Sequence, residues 1–134
     1  MKAILLSVAV LLAFSACAGD RALRDDSFST QSDEGRYATA HGDAVLRYVR
    51  DGGSESERWE RMSGALMFLR RIEAAKDADA ITAMAREADL PGFWKRYEQD
   101  HLWAERDCNV NPDLKAELIR SGFRRALREL ELER

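Results

Sequence analysis

Residues 52–72 read GGSESERWERMSGALMFLRRI, and this stretch decides the fold class. Gly52-Gly53 closes the element before it, because glycine enters the left-handed conformation of a helix C-cap without steric cost. Ser54 and Glu57 then form a Ser-x-x-Glu capping box, in which each side chain satisfies a backbone amide that a new helix leaves without a partner. Behind the box, Trp59, Met62, Ala65, Leu66, Leu69 and Ile72 recur at spacings of three and four, and Met67 and Phe68 widen the stripe. A stripe that broad predicts a helix in contact with more than one neighbour.

Working outward, the same period appears on both sides. A helix is predicted from Arg36 to Asp51 on Tyr37, Ala40, Ala44 and Tyr48, with Val45 and Val49 beside them. A shorter one starts at Asp77 or Asp79, carries Ile81, Met84, Ala85 and Ala88, and ends before Pro91, which holds Leu90 in extended geometry. Phe93 to Arg106 follows, with Trp94, Tyr97, His101, Leu102, Trp103 and Ala104. Asn111-Pro112 restarts the chain, asparagine capping free amides and proline taking the first helical position, where its missing N–H is not needed. The last helix runs to about Leu132 with Leu114, Leu118, Ile119, Phe123, Ala126, Leu127 and Leu130 inward. No run alternates at period two long enough for a strand. The predicted body is therefore all-α, one domain over residues 36–134, a compact bundle of four or five helices whose short loops favour antiparallel neighbours.

Ahead of the body, residues 18–35 read AGDRALRDDSFSTQSDEG, with Leu23 and Phe28 as the only large apolar residues. Such a segment buries too little surface to offset the entropy of ordering, and it reads as a flexible tether. At the start, Met1-Lys2 precedes an apolar run from Ala3 to Phe14 and then Ser15-Ala16-Cys17. A charged n-region, a short apolar h-region and small residues at the cut describe an export signal over residues 1–16. The run is too short to span the membrane, which takes about twenty residues in a helix. Phe14-Ser15-Ala16-Cys17 resembles the lipobox of bacterial lipoprotein precursors, with Phe14 where leucine is commonest. That resemblance implies lipidation of Cys17 as the new N-terminus, and Ala18 rather than aspartate after it implies the periplasmic side of the outer membrane. The alternative is an ordinary secretory cut after Ser15 or Ala18, giving a soluble periplasmic or secreted chain.

Loss of residues 1–16 removes Lys2 and leaves about 118 residues at a net charge of about −4, a balance that argues against a nucleic-acid partner. With Cys17 lipidated, Cys108 has no partner for an intramolecular bridge, so the fold relies on its apolar core.

Chemistry-bearing patterns are sparse. Glu98-Gln99-Asp100-His101 contains the Glu-x-x-His pair that di-iron bundles use, but there is no second copy, and His41, the other histidine, has no glutamate three residues before it. His101 with Glu105 and Cys108 has the residue types that zinc takes, without the close paired spacings of a zinc site. Cys108 with His101 is the formal nucleophile–base candidate, and it lacks an identified third group. Glycine-rich phosphate loops, His-Glu-x-x-His and Gly-x-Ser-x-Gly are absent from the sequence.

Two surface features remain. Arg120, Arg124 and Arg128 fall at i, i+4, i+8 between Glu117 and Glu131, either a solvated face or a strip for an acidic partner or lipid headgroups. Phe93, Trp94, Tyr97 and Trp103, with Lys95, Arg96 and Arg106 among them, are core residues or an interaction hot spot. The expectation is a non-enzymatic, membrane-tethered lipoprotein that binds another envelope protein as an adaptor or as an immunity- or exclusion-like inhibitor, with no cofactor. The alternative is a small periplasmic enzyme or metal-binding protein using His101, Glu98 and Cys108.

Overall fold

Five helices make up the described part of the chain, Ser29 and residues 31–133 of the computed structural model. The leader expected over residues 1–16, Cys17 and the expected tether as far as Phe28 lie outside the described residues. The helices are α1 (Asp33–Arg50), α2 (Glu55–Ile72), α3 (Ala78–Glu87), α4 (Phe93–Asp107) and α5 (Pro112–Leu132). Among the described residues there is no strand, and the fold is the all-α bundle that the periodicity predicts.

Local chemistry starts each helix. Ser54 Oγ accepts from Glu57 N at 3.1 Å, and Glu57 reaches back to the Gly53 amide at 3.1 Å, so the capping box forms one residue wider than its simplest version. Asp77 caps α3 by accepting from Ala80 N at 2.8 Å, and Asn111 caps α5 by accepting from Asp113 N at 3.0 Å. Gly92, at φ 87°, makes the left-handed turn that leads into α4, a conformation other residues rarely adopt.

The expected boundary at Gly35 is corrected. Helix α1 begins at Asp33, capped by Ser32 Oγ accepting from Gly35 N at 3.0 Å, and Gly35 is already buried. Ser-Asp-Glu is a helix start by chemistry: a hydroxyl for the free amides, then two acids at the positive end of the helix dipole. Asp33 also accepts from Asn109 N at 3.1 Å, which ties this start to the α4–α5 loop.

Helix α1 is the central element, lying against α5 along its length and against α4 on its other side. Its crossing with α5 is backbone on backbone: a Cβ at Gly122 would sit 2.0 Å from the Ala38 oxygen, and one at Gly42 would sit 2.6 Å from the Gly122 oxygen. Beside this crossing the rings of Tyr48, Phe68, Phe93, Tyr97 and Phe123 pack mostly edge-on or tilted, the favourable arrangement for aromatic quadrupoles.

The broad stripe of α2 is only partly used. Ala65, Phe68, Leu69 and Ile72 enter the core as expected, but Trp59 (41% exposed), Leu66 (38%) and Met67 (65%) do not. Leu114 is exposed as well, in the first turn of α5. An 18-residue helix with apolar side chains on more than half its circumference has more apolar surface than the other four helices cover.

Candidate functional site

Tyr37 and His41 stand one turn apart on the inward face of α1, and His101 and Glu105 stand one turn apart on α4. Helix packing brings these four side chains together and adds Thr82 from α3 and Lys115 from the start of α5. His41 has no exposed surface. Its Nδ1 lies 2.7 Å from the Tyr37 carbonyl oxygen, and since a carbonyl only accepts, Nδ1 carries the hydrogen. The bare Nε2 of neutral His41 therefore accepts from His101 Nδ1 at 2.8 Å. His101 in turn leaves its own Nε2 without a hydrogen, 3.5 Å from Thr82 Oγ1 and 4.0 Å from Glu105 Oε2.

Glu105 is held from two sides. Tyr37 donates its hydroxyl to Oε2 at 2.6 Å, and Lys115 donates to Oε1 at 2.6 Å. Thr82 donates to the Ala78 carbonyl at 2.9 Å and lies 3.2 Å from the Tyr97 hydroxyl. Tyr97 stacks on His101, with ring centroids 5.5 Å apart at 16°. Burial sets the protonation states. It lowers His41 to about 3, against the smaller opposing effect of the Tyr37 carbonyl, and it lowers His101 against the attraction of Glu105. Burial would raise Glu105, but the hydrogen bonds from Lys115 and Tyr37 outweigh it and keep the carboxyl below its ordinary range. Burial and the Glu105 contact push the Tyr37 phenol up, so it stays a donor. The cluster is thus a neutral imidazole pair beside a charged Lys115–Glu105 pair.

The residues singled out from sequence are placed differently. Glu98 is exposed, and His101 faces Glu105 instead, so the Glu-x-x-His spacing does not act as a pair. Cys108 is buried at the C-cap of α4; burial raises its thiol, and the charges bearing on it are those of Arg36, Asp33, Asp107 and Glu105 rather than of His101. His101, Glu98 and Cys108 therefore do not converge. Among the described residues no group of three or more His, Cys, Asp or Glu side chains is placed to hold a metal ion.

The aromatic and arginine candidates also separate. Tyr97 is fully buried against Phe93, Phe123 and His101, while Trp94 is half-buried under the Arg86 guanidinium, 5.0 Å from its ring. Trp103 is 38% exposed and carries Arg36 at 5.4 Å. Arg120 is drawn inward: its Nη1 donates to the Ile72 carbonyl at 3.1 Å and the Ala75 carbonyl at 2.9 Å, closing the C-terminal end of α2. Arg124 binds Glu117 at 2.5 Å and Glu73 at 3.4 Å. Arg128 is exposed, so the arginine row is largely a staple between α5 and α2 rather than an open strip.

Sequence reasoning missed His41. Its signal was present: an imidazole on an inward face between Ala40 and Ala44 must find a buried partner. It also missed the trough along the α2/α5 seam. One depression of about 230 Å³ is lined by Val49, Trp59, Met62 and Leu130 with Arg58 at its edge, and the next, about 360 Å³, by Met62, Leu66, Leu69 and Leu127 with Arg128. Met62 borders both depressions, and charged side chains flank their apolar floors, Arg50, Glu55 and Glu133 at the first and Arg124 and Glu131 at the second. Among the described residues no helix is long and apolar enough to cross a membrane. No protein-family model matches the chain, and no curated protein or solved structure is significantly similar to it.

Proposed function

We propose that this chain is a non-enzymatic binding module of the bacterial cell envelope, tethered by lipid on Cys17 at the periplasmic side of the outer membrane, whose α2/α5 trough receives an amphipathic helix of another envelope protein. The observation that carries the reading is the trough itself. Trp59 and Leu66 remain partly exposed beside the buried Met62, Leu69, Leu127 and Leu130, an apolar floor with charged rims of the kind on which an amphipathic helix docks. Exposed Arg70 and Arg71 stand at the C-terminal end of α2, which favours an occupant with carboxylates at the matching end. In such a module the partner, held in place by the trough, is restrained or recruited, the action of an inhibitor or an adaptor.

A photo-crosslinking residue in place of Leu66, expressed in cells, tests it. The expected result is one adduct with an envelope protein, lost on Trp59→Glu and kept on Trp103→Ala. Adducts that form from position 102 on α4 and not from position 66 refute the trough as the docking face. Cys17→Ser tests the tether separately: release from the membrane fraction is expected, and retention there refutes lipidation at Cys17.

A further inference from the structure

The two histidines of this chain meet each other, one fully buried and one at the edge of the core, across the seam between α1 and α4. Their bond requires a neutral His41. The Tyr37 carbonyl commits a hydrogen to His41 Nδ1, so the bond to His101 requires a bare Nε2 on His41 and a hydrogen on His101 Nδ1. While His101 keeps its hydrogen on Nδ1, a proton added at His41 Nε2 would set two N–H groups against each other across 2.8 Å.

We propose that the His41–His101 pair is an acid-release latch, holding α4 against α1 while His41 is neutral and letting α4 lift when His41 takes up a proton. The surroundings oppose uptake in the closed form. The charged and titratable groups facing the pair are Tyr37 on α1, Asp79 on α3, Tyr97 and Glu105 on α4, and Lys115 on α5. Burial is the main opposition; Glu105, the nearest anion, already accepts from Tyr37 and Lys115, and the Lys115 charge offsets part of its attraction. Once α4 lifts, both imidazoles reach water and titrate at their ordinary value near 6.5. Acid therefore favours the open form, because that form binds more protons. One histidine, His41, shut out of protonation in the closed form raises the open-to-closed ratio about 30-fold between pH 7.5 and pH 5.0. The lift would expose Phe93 and Tyr97, which α4 contributes to the core.

Cys108, buried at the C-cap of α4, is the built-in reporter. In a Cys17→Ser chain it is the sole thiol. Its rate of reaction with dithiodipyridine, divided at each pH by the rate for the same chain in urea, measures opening. A rise of about 30-fold or more from pH 7.5 to pH 5.0 is expected for the parent. A rise below threefold is expected for the His41→Gln, His101→Gln chain, whose carboxamides hydrogen-bond without titrating. A parent rate that does not rise, or a rise undiminished in the double variant, overturns the proposal. If the double variant does not fold, an NMR titration of the two imidazoles in the parent decides: titration of both at their ordinary value with α4 still protected overturns the latch, and depressed titration with loss of α4 protection supports it.

Discussion

Gly122→Ala puts the α1/α5 crossing to the sharpest test. The added methyl would stand 2.0 Å from the Ala38 oxygen, 2.9 Å from its carbon and 3.1 Å from the Gly42 amide nitrogen. All three are backbone atoms inside a hydrogen-bonded helix, so relief requires α5 to move off α1 by more than an ångström, which loosens Ile119, Phe123 and Ala126 beside it. Overpacking costs typically about 1–3 kcal/mol and occasionally more, and the opposing gain in helix propensity from Gly to Ala is about 1 kcal/mol. Because the obstruction cannot rotate away and the neighbouring core loosens with it, the upper end applies, a net loss of about 2 kcal/mol. In a domain of about 100 residues that lowers the melting temperature by roughly 8–16 °C. Gly64→Ala is the control. Its methyl would meet only the Leu90 side chain, Cδ2 at 2.6 Å, the far end of a flexible, partly buried side chain rather than backbone, so helix propensity prevails and the variant should melt close to or above the parent temperature. Thermal melts of both by circular dichroism settle the matter: if Gly122→Ala melts within about 3 °C of the parent, less than 1 kcal/mol has been lost and the close approach is not what holds α1 to α5.

Three further outcomes follow from named contacts. Phe123→Ala and Leu69→Ala should each cost about 2–5 kcal/mol in urea denaturation, whereas Leu66→Ala, at a partly exposed position, should cost under about 1 kcal/mol; equal losses at all three would contradict the split stripe of α2. Arg120→Met should lose about 1.5–3 kcal/mol by leaving the Ile72 and Ala75 carbonyls without their charged donor, and Arg120→Lys, which offers no planar fork, should recover only part of it; a neutral Arg120→Met would remove the cap from the account of α2. Since His41 is lowered from 6.5 to about 3, its neutral form stabilises the fold fully above its unfolded value, and stability falls as pH drops from about 6.5 towards 3. The slope should approach but not exceed about 1.4 kcal/mol per pH unit for this one residue, and urea midpoints that stay level from pH 7 to pH 4.5 in the parent would show that His41 is not held neutral.

The helices themselves were legible in the sequence because most are started by side-chain caps within a few residues. Ser54 with Glu57, Asp77 with the Ala80 amide, and Asn111 with Pro112 are local contacts, and the period of three and four behind them fixes an inward face. The one misplaced start, Arg36 instead of Asp33, came from reading Ser32-Asp33-Glu34 by its polarity, which suits a linker, rather than by its caps, which open a helix.

Pairings across the bundle were decided elsewhere. Leu66 and Leu69 belong to the same periodic stripe, and only the positions of α1, α3 and α5 determine that Leu69 is covered and Leu66 is not. Arg120 fits a solvated row by its spacing, yet the end of α2 arrives beside it with open carbonyls and draws it inward. The imidazole pair separates most clearly what each level determines. His41 and His101 lie sixty positions apart, and no local rule links them. The sequence by itself determined that one imidazole would lie on an inward helical face and so need a buried partner. Which partner it met, in which tautomer and beside which carboxylate, depended on how α4 crosses α1, and that crossing is selected by the summed packing of side chains from all five helices.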